Sequence, residues 1–209
     1  MNWTKVVLPW RASAPRARPF NPVPLLVSAW PSDTEQGSGF FVHPAVLVTA
    51  AHVVFTEGQV ASRISVDCGS SSAVVAAATL PDGYLRGEPE APDVAVLWLG
   101  ESLCAMEQTV IMSSMGPGAS VAATLLGWGQ GAFGRRDVDA TKDAELLRYD
   151  VEDLPGFSGG PLLAPRPDPA VEPSAVGVHF FHDERGGYAL PLQRNDVIDA
   201  MRLLGFSFG

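Results

Sequence analysis

Residues 154–163 of this 209-residue chain read Leu-Pro-Gly-Phe-Ser-Gly-Gly-Pro-Leu-Leu. Gly156 stands two residues before Ser158, and two glycines follow the serine directly. Glycine adopts backbone conformations that other residues reach only at an energetic cost, so the chain around Ser158 can turn its N–H groups toward one point. N–H groups arranged in this way stabilise the oxyanion of an acyl-transfer reaction. The segment therefore predicts a nucleophilic serine in a tight loop.

Two upstream segments supply the partners that such a serine needs. Residues 49–52 read Thr-Ala-Ala-His after an apolar run, and Asp93 follows a proline at the start of another apolar run. A serine hydroxyl is a weak nucleophile until a base removes its proton, and imidazole is the usual base near neutral pH. A buried carboxylate then orients the imidazole. Alone, His52 or Asp93 would be interpreted as structural, but the ordered set with Ser158 predicts a catalytic triad.

Composition and patterning favour β-structure. Glycine and proline contribute 21 and 18 residues, a share well above average usage. Short β-type runs separated by turn residues recur from residue 25 to residue 192, which is typical of a barrel or sandwich. Residues 127–143 are glycine-rich and charged and are predicted to form a loop. Only the end of the chain is predicted to be helical, because Val197, Ile198, Met201 and Leu204 follow amphipathic helix spacing.

Together these motifs resemble the three signatures of the chymotrypsin/trypsin superfamily of serine peptidases, in the family's order of His, Asp and Ser. Residues 126–129, Leu-Gly-Trp-Gly, also resemble the family's Gly-Trp-Gly turn. The resemblance covers about residues 25–204 and is closest in style to bacterial glutamyl endopeptidases and Htr-type proteases. It implies an all-β fold of two antiparallel six-stranded β-barrels, with a C-terminal α-helix packed on the second barrel and the site between the barrels.

The resemblance also implies a division of the chain and a role for each matching residue. The expected units are an N-terminal arm (1–22), an N-terminal barrel (23–104), a C-terminal barrel (105–193), and a helix and tail (194–209), with the barrels forming one peptidase unit. Ser158 is the expected nucleophile, His52 the general base and acid, and Asp93 the orienting carboxylate. The backbone N–H groups of Gly156 and Ser158 are expected to form the oxyanion hole.

These roles predict a serine endopeptidase that works through an acyl-enzyme and needs no cofactor. The spacing of histidines and cysteines matches no zinc site, so no metal is expected. The alternative is a catalytically weak trypsin-like module that binds a peptide or partner. An α/β-hydrolase esterase has similar surroundings for its serine, but its triad runs in the order Ser, Asp, His.

Phe157 departs from the family's pattern. In trypsin-like zymogens an aspartate at this position pairs with a newly cut N-terminus, and phenylalanine cannot form that ion pair. We therefore expect no activation through an N-terminal ion pair. The bulky side chain is expected to pack under the loop, or else to indicate a site that an activating protein partner orders.

Two interpretations of specificity stay open. Residues 176–179, Val-Gly-Val-His, resemble the Gly-Ile-His element with which glutamyl endopeptidases recognise an acidic side chain, which implies cleavage after Glu. Glu152 and Asp153, however, lie where the family forms the pocket floor, and a carboxylate there would favour Lys or Arg by charge pairing. Two aromatic residues that follow His179 are candidates to narrow the pocket. The candidate substrate-binding residues are Glu152, Asp153, His179, Phe180 and Phe181.

Charge and targeting signals bear on partners and location. The formal net charge of −9 disfavours a nucleic-acid binder. No apolar run approaches the ~20 residues of a membrane-spanning helix, so no membrane partner is expected, and the absence of a recognisable signal segment favours a cytoplasmic location. Cys68 and Cys104 are expected to be free thiols in a reducing compartment, or to form one disulfide if the protein is exported. The expected partners are a protein or peptide substrate and, where activity is controlled, an activating protein.

Overall fold

A computed structural model describes residues 1–8, 21–69, 71–143, 145–152, 154–166, 168, 172–191 and 193–207. Across these ranges the chain forms eighteen β-strands and two α-helices. The helices contain four and ten residues, and no helix of the described ranges is both long and apolar enough to cross a membrane.

The N-terminal half consists of a five-stranded and a four-stranded sheet with one short hairpin. Its strands are β1 (Trp3–Val7), β2 (Leu25–Ala29), β3 (Thr34–Ser38), β4 (Phe40–His43), β5 (Val46–Thr49), β6 (Phe55–Thr56), β7 (Gln59–Val60), β8 (Arg63–Asp67), β9 (Ser72–Val74), β10 (Ala77–Pro81) and β11 (Ala95–Trp98). The sheet orders are β1-β10-β11-β5-β4 and β3-β2-β8-β9, and β6 pairs with β7. Helix α1 (Asp82–Leu85) follows β10. Residues 3–7, which fall in the expected N-terminal arm, pair with β10 as an edge strand.

The C-terminal half contains a closed antiparallel barrel of six strands. The seven strands of this half are β12 (Ile111–Met112), β13 (Ser120–Gly129), β14 (Ala132–Asp143), β15 (Leu146–Tyr149), β16 (Pro161–Ala164), β17 (Ser174–Asp183) and β18 (Gly186–Pro191). The order β17-β16-β13-β14-β15-β18 closes because β18 also pairs with β17, while β12 adds to β17 in parallel. The chain ends in helix α2 (Arg194–Leu203). The predicted all-β fold with a C-terminal helix is confirmed. Of the two expected six-stranded barrels, the C-terminal one is a closed six-stranded barrel, and the N-terminal half consists of the five-, four- and two-stranded sheets.

Three apolar clusters hold the architecture together. The two N-terminal sheets enclose one cluster, which contains Phe41 and Leu97, and the C-terminal barrel encloses another, which contains Leu125 and Leu162. The third cluster includes Phe40 of β4, residues of β17 and the apolar face of α2, so it joins the halves. Strands β5 and β11 are covered on both faces, which explains why their sequences are continuously apolar.

Helix α2 lies elsewhere than expected. It was predicted to pack on the C-terminal barrel, but its main contacts are with β1, β10 and β11 of the five-stranded sheet. It shares the third apolar cluster with residues of β17 of the barrel. Val197, Ala200 and Met201 form its buried face. An amphipathic pattern shows that one face of a helix is buried but does not identify the surface that covers it, so this partner could not be read from the sequence.

The prediction of a loop over residues 127–143 was also wrong, because these residues belong to a long β-hairpin. Strands β13 and β14 pair in register from Ser120 opposite Thr141 to Gly129 opposite Ala132. Gln130 and Gly131 form the turn with φ values of 52° and 79°, as a two-residue hairpin turn requires. Most of β14 is exposed, with only Val138 and Ala140 buried. Its sequence therefore lacks the apolar alternation from which a strand is usually predicted.

Candidate active site

His52 lies in a short 3₁₀ helix, Ala51–Val53, that follows β5 directly. The flanking residues Ala51 and Val53 are buried in the N-terminal cluster, which directs the intervening imidazole away from that core. The buried hydroxyl of Ser28 donates a hydrogen bond to the Val53 carbonyl at 2.5 Å. The turn that carries His52 is therefore fixed by packing on two sides and by a buried hydrogen bond.

Asp93 meets His52 because their strands are neighbours in one sheet. Thr49 of β5 lies opposite Ala95 of β11, so the residues just after Thr49 and just before Ala95 emerge at the same end of the sheet. Asp93 Oδ2 lies 2.8 Å from His52 Nδ1, and Oδ1 accepts the His52 backbone N–H at 3.0 Å. With the Nδ1 proton donated to the carboxylate, Nε2 is left as the basic nitrogen.

The surroundings of His52 raise the pKa of its imidazole. Burial, the largest single influence, disfavours the protonated ring, but the hydrogen bond and charge of Asp93 and the charge of Glu35 together outweigh it. Glu35 is an exposed residue of β3. An imidazole must be neutral to accept a proton, so a site that uses His52 as its base gains activity as the pH rises through this raised pKa.

The loop that carries Ser158 packs against the segment that leads to His52. The Ser38 amide donates to the Ser158 carbonyl at 2.7 Å. A Cβ at Gly159 would collide with the Ser38 carbonyl and the Thr49 hydroxyl, and would lie 2.9 Å from the Ala50 amide nitrogen. Glycine is therefore required after Ser158, and this close contact places the serine beside the turn of His52.

The Gly156 and Ser158 amides are available to a ligand. Gly156 has φ of +91°, and a side chain there would collide with the Trp128 carbonyl. The Gly156 carbonyl accepts the Ser38 hydroxyl at 2.8 Å, which orients the Gly156–Phe157 peptide. The Phe157 carbonyl, which shares its peptide with the Ser158 N–H, accepts the Gly160 N–H at 2.8 Å. Within the described part of the chain, neither the Gly156 N–H nor the Ser158 N–H donates to a protein acceptor. An oxyanion hole needs N–H groups that are not already paired within the protein.

The Ser158 hydroxyl makes no hydrogen bond to another described residue. The bond between nucleophile and base is often long or poorly aligned when no substrate is bound. The described contacts therefore hold the Asp93–His52 pair and place Ser158 nearby, without a bond from the hydroxyl to the imidazole.

His179 pairs directly with the Ser158 loop. Its carbonyl accepts the Gly159 N–H at 2.7 Å, and its amide donates to the Gly160 carbonyl at 2.9 Å. The ring is buried, with Nδ1 2.6 Å from the Tyr149 hydroxyl. Burial raises the pKa of Tyr149, so the hydroxyl stays protonated and can donate to Nδ1. If the hydroxyl donates to Nδ1, the neutral ring carries its proton on Nε2.

The other predicted substrate-binding residues are dispersed. Phe180 packs against the N-terminal cluster, while Phe181 is half-exposed and lies against Tyr188, with ring centroids 5.8 Å apart. Glu152 is exposed and, with Arg136, lines a cavity beside the β13–β14 hairpin. Asp153 lies outside the described residues. Of the candidates, His179 is the one that the described contacts join to the Ser158 loop.

Ser38 is the site residue that sequence reasoning missed. Its buried hydroxyl donates to the Gly156 carbonyl and accepts the Trp128 amide N–H, each at 2.8 Å. These partners lie 118 and 90 residues away in the chain, so no local pattern relates them. The available signal was the position of Ser38 between two glycines just before an apolar strand.

No second site of comparable chemistry emerges from the described residues. A cavity of about 680 Å³ lies on β13, β14 and β16 and includes none of the three triad residues. The Asp137 carboxylate at its edge already accepts from Thr124 and Arg135. No group of three or more His, Cys, Asp or Glu side chains in the described ranges could hold a metal ion.

Comparison with known proteins supports the fold. No family model matches the chain, and no curated protein matches it significantly. A Glu endopeptidase structure has a TM-score of 0.70 and 16% identity, covering 95% of this chain and 99% of that chain. The protease Anisep from Arthrobacter nicotinovorans has a TM-score of 0.67 and 13% identity, covering 85% and 92%. A scabies mite inactivated protease paralogue has a TM-score of 0.65 and 16% identity, covering 89% and 96%.

The similar structures are those of trypsin-like serine proteases, and the chain has their fold. One of the three comes from a paralogue described as inactivated, so the fold does not by itself establish activity. Whether the chain is active therefore depends on the residues of the candidate site.

The role of Ser38 is testable by its replacement with alanine. Ser38→Ala leaves the buried Gly156 carbonyl and Trp128 amide without a partner, so the free energy of unfolding should fall by about 1–3 kcal/mol. Ser62→Ala is a matched control, because the exposed Ser62 hydroxyl also bonds to one carbonyl; it should change stability by less than about 0.5 kcal/mol. Denaturant unfolding measures both. Equal losses would contradict the bridging role.

Proposed function

We propose that this chain, which has the fold of trypsin-like serine proteases, is a serine endopeptidase that cleaves peptide bonds through an acyl-enzyme at Ser158. The observation that carries the proposal is the two-point attachment of Asp93 to His52, at 2.8 and 3.0 Å, beside the Ser158 loop. Two backbone N–H groups in that loop without a described protein acceptor support it.

In the first half of the proposed reaction, His52 Nε2 accepts the proton of the Ser158 hydroxyl as Oγ attacks the substrate carbonyl. The tetrahedral oxyanion receives hydrogen bonds from the N–H groups of Gly156 and Ser158. Asp93 stabilises the imidazolium. The imidazolium then gives its proton to the departing amine, the C–N bond breaks, and the acyl group stays on Ser158 Oγ.

In the second half, water replaces the amine. His52 Nε2 accepts a proton from the water as its oxygen attacks the acyl carbon, and the same two N–H groups bind the new oxyanion. His52 then returns the proton to Ser158 Oγ as the ester bond breaks. The products are a carboxylic acid and the original enzyme, and every step uses groups of this chain and water, so the proposal includes no cofactor.

For specificity, the proposal assigns recognition of an acidic substrate side chain to His179. The contact of its backbone with Gly159 and Gly160 supports this assignment, as does the hydrogen bond from Tyr149. If Tyr149 donates to Nδ1, the neutral imidazole has its N–H group at Nε2, and an N–H group is a donor of the kind that a carboxylate accepts. Glu152 is the weaker candidate, because its exposed side chain lines the cavity on the hairpin side of the loop.

Replacing Ser158 with alanine tests the reaction itself. Ser158→Ala removes the nucleophile and should lower kcat by about 10⁶-fold. Asp93→Asn keeps the serine but should lower kcat by about 10⁴-fold, because the amide favours the wrong tautomer of the imidazole and has no charge to stabilise the imidazolium. Steady-state hydrolysis of a peptide library substrate measures both. Unchanged hydrolysis in Ser158→Ala would overturn the proposal, and peptide binding without hydrolysis by the unaltered chain would favour the binding module.

The pH dependence of kcat/KM tests the environment of His52. Removing the Glu35 charge with Glu35→Gln lowers the raised pKa of His52, so the acid limb of the profile should move to lower pH. Activity needs neutral His52, so the variant should retain more activity at mildly acidic pH. Glu145→Gln is the control, since Glu145 does not contribute to the pKa of His52. A shift to higher pH would contradict this account.

Paired peptides that differ only in Glu or Gln before the scissile bond test specificity. The unaltered chain should cleave the Glu peptide with the higher kcat/KM, and Tyr149→Phe should reduce this preference because His179 loses the group that fixes its proton on Nε2. Cleavage after Lys or Arg in preference to Glu would contradict the assignment to His179 and favour the acidic pair Glu152 and Asp153.

A further inference from the structure

Phe157 lies between the two residues that supply the proposed oxyanion N–H groups, and its side chain is 3% exposed. Its amide donates to the Leu154 carbonyl at 3.0 Å, and its carbonyl accepts the Gly160 N–H at 2.8 Å. The residue therefore belongs to the main-chain turn of the loop, and its ring points into the protein rather than into the site.

The ring occupies a cradle formed by three glycines of the β13–β14 hairpin. Gly127 and Gly134 are directly opposite each other across the two strands, and Gly129 follows two residues along β13. Side chains alternate between the faces of a sheet, so all three positions present the same face. We call Gly127, Gly129 and Gly134 the glycine cradle.

Side chains in the cradle would overlap the ring. A Cβ at Gly127 would lie 2.7 Å from Phe157 Cδ1, one at Gly134 would lie 2.7 Å from Cζ, and one at Gly129 would lie 3.0 Å from Cε2. The opposite face of the hairpin carries Trp128 and Phe133, whose ring centroids are 5.6 Å apart. The three glycines therefore lie on the face of the hairpin that contacts Phe157, while the opposite face carries large side chains.

Two further glycines fix the distance between the Ser158 loop and β13. Gly156 lies against the Trp128 carbonyl and Gly160 against the Leu126 carbonyl, both too close to admit a side chain. Phe157 inserts its ring between these two close approaches. A displaced ring would therefore lift the Gly156 and Ser158 amides from β13 together.

From this geometry we propose that Phe157, seated in the glycine cradle, is the positioning residue that orders the oxyanion-hole loop. The inference rests on the proposed function, because it identifies the residue that orders the loop of the proposed oxyanion hole. The anchor is apolar, so the loop is ordered by packing within the barrel and needs no ion pair at this position. Phe157 acts through the amides on either side of it and does not touch the reacting atoms.

Gly134→Ala is the sharpest perturbation of the cradle. The atoms nearest to the added methyl would be Phe157 Cζ, Cε2 and Cε1, at 2.7, 3.3 and 3.7 Å. Gly134 is absent from the glycines with positive φ, so alanine can adopt its backbone conformation without strain. The substitution should push the ring outward and lower kcat by about 10²-fold, the loss caused by removing one oxyanion donor, while KM changes less than about threefold.

Phe157→Leu provides the rescue, because leucine has no atom at the Cζ position. The double variant Gly134→Ala/Phe157→Leu should recover at least about tenfold in kcat over Gly134→Ala alone, since the added methyl fills the space that the ring tip leaves. Gly116→Ala is the matched control, because no atom lies within 4 Å of its added Cβ. It should leave kcat, KM and Tm unchanged.

Thermal unfolding of the same variants separates the cradle from the proposed function. Gly134→Ala should lower Tm, and Phe157→Leu should restore part of that loss in the double variant, whether or not the chain hydrolyses peptides. An absence of coupling in Tm would overturn the seating of Phe157. Coupling in Tm with an unchanged kcat in Gly134→Ala would overturn its positioning role. No hydrolysis by the unaltered chain would instead refute the proposed function.

Discussion

Ser38 joins the two halves of the molecule at the point where the candidate site is assembled. Its amide donates to the Ser158 carbonyl, and its buried hydroxyl bridges the Gly156 carbonyl and the Trp128 amide. The histidine and aspartate come from one half and the serine loop from the other, so their relative position depends on contacts across this boundary. A small hydroxyl residue can satisfy both groups, whereas a larger side chain would separate the halves.

Close backbone packing is the second constraint on the site. Gly159 lies against the Thr49–Ala50 segment, and Gly37 fits between the Val53 side chain and the Ser158 carbonyl. These contacts leave no room for a side chain. The serine can therefore approach the imidazole only because both of these segments carry glycine at the contact. The Phe157 ring packs under the Ser158 loop. It places an apolar side chain at the position where trypsin-like zymogens carry an aspartate. Packing, rather than an ion pair, thus supports this part of the site.

The sequence predicted those features that depend on local chemistry or on chain order. The turn-rich β-type runs predicted β-structure, and the spacing of Val197 and Met201 predicted the helix; both are confirmed. The closed C-terminal barrel was implied by the family resemblance. The proximity of His52 and Asp93 followed from their motifs, and the pairing of β5 with β11 explains it. Their catalytic roles stay a prediction.

Features that depend on distant partners were not predictable. The sequence predicted a loop at β14 because most of this strand is exposed and lacks apolar alternation. The strand is defined by its main-chain pairing with β13, which the sequence does not show. The surface that covers α2 and the double role of the Ser38 hydroxyl both depend on residues far away in the chain. The glycine cradle is similar, since Gly127 and Gly134 become neighbours only through the hairpin register.

In the proposed reaction the Asp93–His52 pair activates Ser158, and covalent labelling with a fluorophosphonate measures this activation most directly. Intact-protein mass spectrometry should show one adduct, peptide mapping should locate it on Ser158, and His52→Ala should abolish it. No adduct on the folded chain, or an adduct on another residue, would contradict the claim.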